Sequence, residues 1–320
     1  MKGRQAVWSQ PEIQALAARF VAAADEVWRL HNLKDPECEL FQEFMDKGIY
    51  GDRTDSSTRQ GIFAVAPSGV LLADVNTTQP GPMRDMLTRA LRAWDALPKS
   101  ERFLPYDPEA RRAEIQRGEQ RFPSDGVAMR VHVRDLPRAG QPADWRAKAL
   151  NLDYAWFRRG ELRSVLPVRV AKRATRAWPA ALVQRVVRLH LTDYVRGQTT
   201  PHEAGSVHAA SLQTEVLSVK KTKVELRFTG KAQVNTEPWT DRPDGSRARG
   251  IDVALLGRAS WDPRSVRFTE FELVAAGQRW GRTEYNFRQD DVGPAPLGWV
   301  FTLAPQGERV PPAALGAYGW

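Results

Sequence analysis

The chain holds 320 residues, 42% hydrophobic and 27% charged, a composition that excludes a disordered or low-complexity polymer and suits two packed cores. No apolar run approaches the ~18 residues that cross a bilayer, which excludes an α-helical membrane span. The single cysteine, Cys38, excludes an internal disulfide, so nothing demands an oxidising compartment and the cytoplasm is the expected one.

The formal net charge of +9 is unevenly spread. Residues 151–190 carry nine basic and two acidic side chains, whereas residues 1–97 carry eleven basic and thirteen acidic ones. Eleven Trp run from Trp8 to Trp320 without clustering, so packing explains them better than one binding site. The apolar stretch Ala15 to Ala24 is interrupted by Arg19 and lacks the cleavage pattern of a secretory signal.

In chain order, Ser9 is placed to cap a helix with Pro11 just inside it, running to about Ala17. Arg19 to Trp28 reads as a short strand. Asp35 caps a second helix, with Pro36 first and Leu40, Phe41, Phe44 and Met45 at helical spacing, and Gly48 ends it. Ile62 to Val65, a Pro67-Ser68-Gly69 turn and Val70 to Val75 predict a hairpin. Gly81 and Pro82 open a helix that buries Met83, Met86, Leu87 and Leu91 and ends near Leu97-Pro98. Residues 98–125, with four prolines, read as a linker holding one short helix at Glu109 to Arg117.

Val127 to Val133 is a candidate strand. Ala180 to His190 predicts a helix with a Leu182, Val183, Val186, Val187 stripe and a wet face of Gln184, Arg185 and Arg188. From Val207 the period becomes two. Val224, Leu226 and Phe228 alternate with Lys223, Glu225 and Arg227, the mark of a half-buried antiparallel strand. Ile251 to Ala259, Val266 to Val274 and Gly298 to Leu303 continue it. Asp262 to Ser265 reads as a hairpin turn, and a phase slip between Phe268 and Phe271 predicts a bulge. The expected architecture is an α/β domain over 1–97, a linker over 98–125, and a helix plus antiparallel β meander over 126–320, built as a sandwich or half-barrel.

The order helix, strand, helix, hairpin, helix over residues 10–97 is carried by RFVAAADEVWRLHN, QGIFAVAPSGVLLADVN and PMRDMLTRALRAW. It resembles the thioredoxin fold: a central strand with its loop, the terminal hairpin and the closing helix. The whole chain resembles two-part bacterial proteins with a thioredoxin-like front and a β-rich back, a likeness that implies no activity. In thioredoxins the strand runs into Trp and two cysteines separated by two residues, one to attack a disulfide and one to resolve it. Here Trp28 is followed by Arg29, Leu30, His31 and Asn32, and Gln60 and Gly61 stand where the cis-proline belongs. Dithiol exchange within the chain is therefore excluded.

Cys38 sits third in its helix, where a thiol can be activated, but Asp35, Glu37 and Glu39 disfavour the thiolate. The segment His190 to His208 gathers three of the five histidines with Asp193, Arg196, Gln198 and Glu203. His190, Asp193, His202 and His208 form a ligand set suited to Zn or Fe, although no metal motif has this spacing; a structured connection in which Asp193 and Arg196 satisfy backbone groups is the favoured reading. The arginines of 151–190, with Tyr154, Trp156, Phe157 and Trp178 for stacking, raise nucleic acid as a partner, disfavoured because no recognition motif accompanies them. The paired acids Asp290-Asp291 and Asp241 to Asp244 read as solvated loops. The favoured expectation is a non-redox binding or scaffold protein with a protein or peptide partner and no cofactor. The alternatives are a metal-dependent hydrolase using His190 to His208 and a single-thiol reductase using Cys38.

Overall fold

The computed structural model describes residues 7–23, 30–31, 36–51, 60–103, 122–141, 144–236 and 249–319. The chain divides into two compact units, Val7–Ala113 and a larger one spanning Glu114–Trp320. The division falls inside the expected linker, whose proposed helix at Glu109 to Arg117 lies outside the described residues.

In the front unit, helix α1 (Pro11–Ala17) starts at its proline, but the residue at the cap is Gln10 rather than Ser9. The expected strand at Arg19 is absent from its described part. Residues 18–23 are turn and irregular chain, and Val21 is 98% exposed, so no core holds an extended segment there; 24–28 lie outside the described residues. Helix α2 (Pro36–Lys47) buries Cys38 and Met45. Strands β1 (Ile62–Val65) and β2 (Leu71–Val75) form the hairpin. Its turn is closed by Ala66 N donating to Val70 O at 2.8 Å, with Gly69 at φ 89, a left-handed conformation that suits glycine. Helix α3 (Pro80–Ala96) buries Met83, Met86, Leu87 and Ala90, the i, i+3, i+4, i+7 set of one face. It stops at Leu97 because Pro98 forces the preceding residue out of the helical region, to ψ 130.

The back unit is one antiparallel sheet of eight strands rather than a sandwich, in the order β4-β3-β10-β9-β8-β7-β6-β5. The strands are β3 (Val127–Asp135), β4 (Leu150–Phe157), β5 (Thr175–Ala177), β6 (Val207–Lys220), β7 (Lys223–Thr236), β8 (Arg249–Asp262), β9 (Arg267–Trp280) and β10 (Ala295–Leu303). Alternation puts Val224, Leu226, Phe228, Ala232 and Val234 of β7 on the buried face. Against this face pack helix α5 (Ala180–Arg185) and the π-turn Val186–His190 that extends it. The predicted bulge is present: Ser260 and Trp261 pair with Glu270 and Phe268, leaving Thr269 as the extra residue. On the buried face a Cβ at Gly230 or Gly277 would lie 2.2 or 2.1 Å from a carbonyl oxygen of the next strand, an approach that only glycine permits. Helix α4 (Arg159–Ser164) follows β4 and closes its first turn with Glu161 accepting from the Arg158 backbone N–H at 2.8 Å.

Candidate functional site

The segment after the π-turn runs through the interior as irregular chain. Leu191, Thr192, Tyr194, Val195 and Arg196 are all buried, so each buried backbone group needs a partner. Trp299 Nε1 donates to Thr192 O at 3.1 Å, Asn151 Nδ2 to Tyr194 O at 2.5 Å, and His202 Nε2 to Leu191 O at 3.1 Å. The Tyr194 hydroxyl donates to Val131 O at 3.0 Å. Side chains from two strands and the following loop thus do the work that a helix or sheet would do for itself.

The four residues expected to converge separate into three places. His208 is exposed on β6. His190 is buried, its Nε2 2.6 Å from the Tyr318 hydroxyl and its Nδ1 3.8 Å from Asp153. Asp193 and His202 come together, lining one cavity of about 10 Å³ with Thr199, Arg249, Trp280 and Asn286, the volume of a single water. Among the described residues no group of three or more His, Cys, Asp or Glu side chains is arranged to hold a metal ion. Burial, reinforced by the nearby Arg249 charge, pushes His202 down to about 3, so the ring is neutral. With Nε2–H given to Leu191 O, Nδ1 is an acceptor, and it has no hydrogen-bond partner within the protein.

Asp193 belongs to a larger constellation that sequence reasoning missed. Arg288, fully buried, donates to both oxygens of Asp193 at 2.8 and 2.9 Å, to Asp135 at 2.7 and 3.0 Å, and to Asp291 at 3.0 Å. Arg196 reaches Asp135 at 2.9 Å and Asp291 at 3.0 Å, Arg279 also pairs with Asp291, and Arg138 closes on it at 2.5 Å. Burial opposes the Asp193 charge, but the guanidinium groups, Arg288 first, outweigh it and hold the carboxyl below its usual range. These groups come from the end of β3, the buried segment, the end of β9 and the loop before β10. The cluster therefore fastens four separate pieces of chain at one end of the sheet. Asp291, expected in a solvated loop, is one of its centres, and only Asp290 is a surface acid, paired to Arg146 at 2.6 Å. Asp241 to Asp244 lie outside the described residues. Two charges on the inward phase were the available signal: Asp135 follows Met129, Val131 and Val133, and Arg279 follows Leu273, Ala275 and Gly277.

The basic segment offers no stacking platform. Trp156, Phe157 and Trp178 are buried, and Tyr154 is bound to Glu308. Arg185 does not sit on a wet face either, because Glu161 holds it at 2.6 and 2.7 Å and its guanidinium covers the Tyr318 ring at 4.7 Å. The C-terminal segment is fastened over β3 and β4 by Glu308 to Arg130 at 2.9 and 2.5 Å, Ala313 N to Asp153 at 2.9 Å, and Tyr318 to His190.

In the front unit a cleft of about 340 Å³ opens between α2 and the hairpin turn, lined by Leu40, Glu43, Lys47 and Ser68 to Leu71. Leu40 and Val70 are 38% and 37% exposed there. Ser68 Oγ is shielded from solvent and has no hydrogen-bond partner within the protein. Cys38, two residues before Leu40 on the same helix, is fully buried, which denies a substrate access to its sulfur. No helix among the described residues is long and apolar enough to cross a membrane. Comparison with protein-family models, with curated protein sequences and with solved structures gives no match.

Proposed function

We propose that the protein is a non-redox binding protein whose front unit, thioredoxin-like in build, docks an apolar peptide segment of a partner in the cleft between α2 and the β1–β2 turn. The observation that carries this is the cleft's composition: two half-exposed aliphatics, Leu40 and Val70, around the unpartnered hydroxyl of Ser68. A peptide side chain supplies the apolar cover, and its backbone supplies the partner that Ser68 lacks. The volume is in the range of ligand pockets, about 300–1,000 Å³. The order α2, hairpin, α3 supports the thioredoxin-like reading, and the lone buried Cys38 supports a role without thiol chemistry in the cytoplasm.

The test is selection of a random peptide library on the full chain, followed by fluorescence anisotropy of a synthetic selected peptide. Val70→Asp and Leu40→Asp should each weaken binding at least tenfold with the thermal midpoint unchanged. Selected peptides that bind both variants as tightly as the parent would sink the reading, as would a library that enriches nothing.

A further inference from the structure

One loop of the back unit carries exposed aliphatic side chains that the fold does not use. After α4 the chain buries Val165, Leu166 and Pro167, then throws Val168 out to 95% exposure, with Val170 at 37%. The loop is clamped at its base, where Arg176 donates to Leu166 O at 3.1 Å. It is tied to β6 by Arg173 N donating to Val216 O at 2.8 Å and Val216 N donating to Ala174 O at 2.9 Å. Those bonds set it beside Leu217, pushed outward at a register shift of β6, and Val219; these are 40% and 48% exposed. The same two stretches of chain carry five exposed cations: Arg169, Lys172 and Arg173 on the loop, Lys220 and Lys221 at the β6–β7 hairpin tip. Neither 165–173 nor 216–222 contains a carboxylate. The acids that flank the second stretch in sequence are already engaged, Glu215 by Arg227 and Glu225 by Lys223.

We infer that this loop, with the β6–β7 hairpin tip, docks on an anionic phospholipid surface, with Val168 and Val170 entering the headgroup boundary and the five cations facing lipid phosphates and carboxylates. A held loop tip with an almost fully exposed valine gains only where something apolar receives it, and five cations with no acid in either stretch select a negatively charged host. Nucleic acid fits less well, because it rewards aromatic faces and these exposed side chains are aliphatic. The inference concerns the back unit and does not rest on the front cleft.

The experiment is vesicle co-sedimentation of the full chain with phosphatidylcholine alone and with 30% phosphatidylserine. Binding is expected only to the anionic vesicles, and it should fall as salt rises. Lys220→Ala with Lys221→Ala should weaken it about 25-fold, fivefold per cation at about 1 kcal/mol each. Val168→Asp should weaken it at least tenfold while leaving the thermal midpoint in place, since that side chain touches little. Equal binding to neutral vesicles, no binding to either, or indifference to Val168→Asp overturns the inference. So does displacement from anionic vesicles by duplex DNA or polyglutamate at matched charge, which would assign the loop to a different kind of partner.

Discussion

Arg288 donates to both carboxylate oxygens of Asp193, at 2.8 and 2.9 Å, and its own side chain is wholly removed from solvent. A charge in that position is tolerated only while its partners remain, because the desolvation cost is not recovered when one side is deleted. Arg288→Ala should therefore cost about 3–5 kcal/mol by urea denaturation at neutral pH. The pair Arg146–Asp290, of similar length at 2.6 Å but with Asp290 55% exposed, is the internal comparison. Arg146→Ala should cost less than about 1 kcal/mol. Equal losses at the two positions would mean that the cluster is not the fastening described.

His202 gives stability a pH dependence of definite sign. Its folded pKa of about 3 lies below the free value of ~6.5, so the unfolded chain binds the proton first as pH falls. The contribution is complete above ~6.5 and is lost progressively toward 3. Between pH 7 and pH 5 the loss is about 2 kcal/mol. His132, half-buried and also shifted down by burial, adds in the same direction. In His202→Gln the amide still donates to Leu191 O but takes up no proton, so the pH 7 to pH 5 difference should shrink by about 2 kcal/mol. An unchanged difference would show that His202 is already accessible to protons in the native state.

Much of the sheet was legible because its buried positions are also apolar. In β7 the sequence alternates Val224, Leu226, Phe228 against Lys223, Glu225, Arg227, and the bulge at Thr269 appears as a slip between Phe268 and Phe271. Strand β4 was not legible for the opposite reason. Its inward positions include Asn151 and Asp153, buried but polar, so the burial period is present and the hydrophobic period is not. The paired residues of the charge cluster lie up to 153 positions apart, beyond what local spacing reveals. For the expected metal set, nearness in sequence misled. The π-turn and the buried run after it carry His190 toward Tyr318 and Asp193 toward Arg288, while β6 takes His208 out to solvent.

The end of the C-terminal segment is held by one hydroxyl. Tyr318 accepts from Trp156 N at 3.2 Å and bonds His190 at 2.6 Å. Tyr318→Phe leaves the ring packing in place and removes these bonds, for an expected cost of about 1–2 kcal/mol. Amide exchange should then speed up at Leu315 and Ala317, whose N–H groups bond within this last turn, while β7 stays protected. Unchanged protection at both amides would locate the fastening of this segment at Glu308 and Ala313 instead.

The strand order has a consequence for how the back unit is made. Strand β10 lies between β3 and β9, pairing Leu297 with Asp135 on one side and Gly277 on the other. Until β10 is in place, the β3–β4 ribbon and the meander from β5 to β9 have no common strand, and each presents an open edge where the other belongs. Synthesis from the N-terminus leaves both edges waiting until β10 emerges. Contacts this remote in sequence form late and slowly. A chain interrupted before Ala295 would release two incomplete sheets with adhesive edges, so the closing strand is also what protects the nascent protein from its own copies.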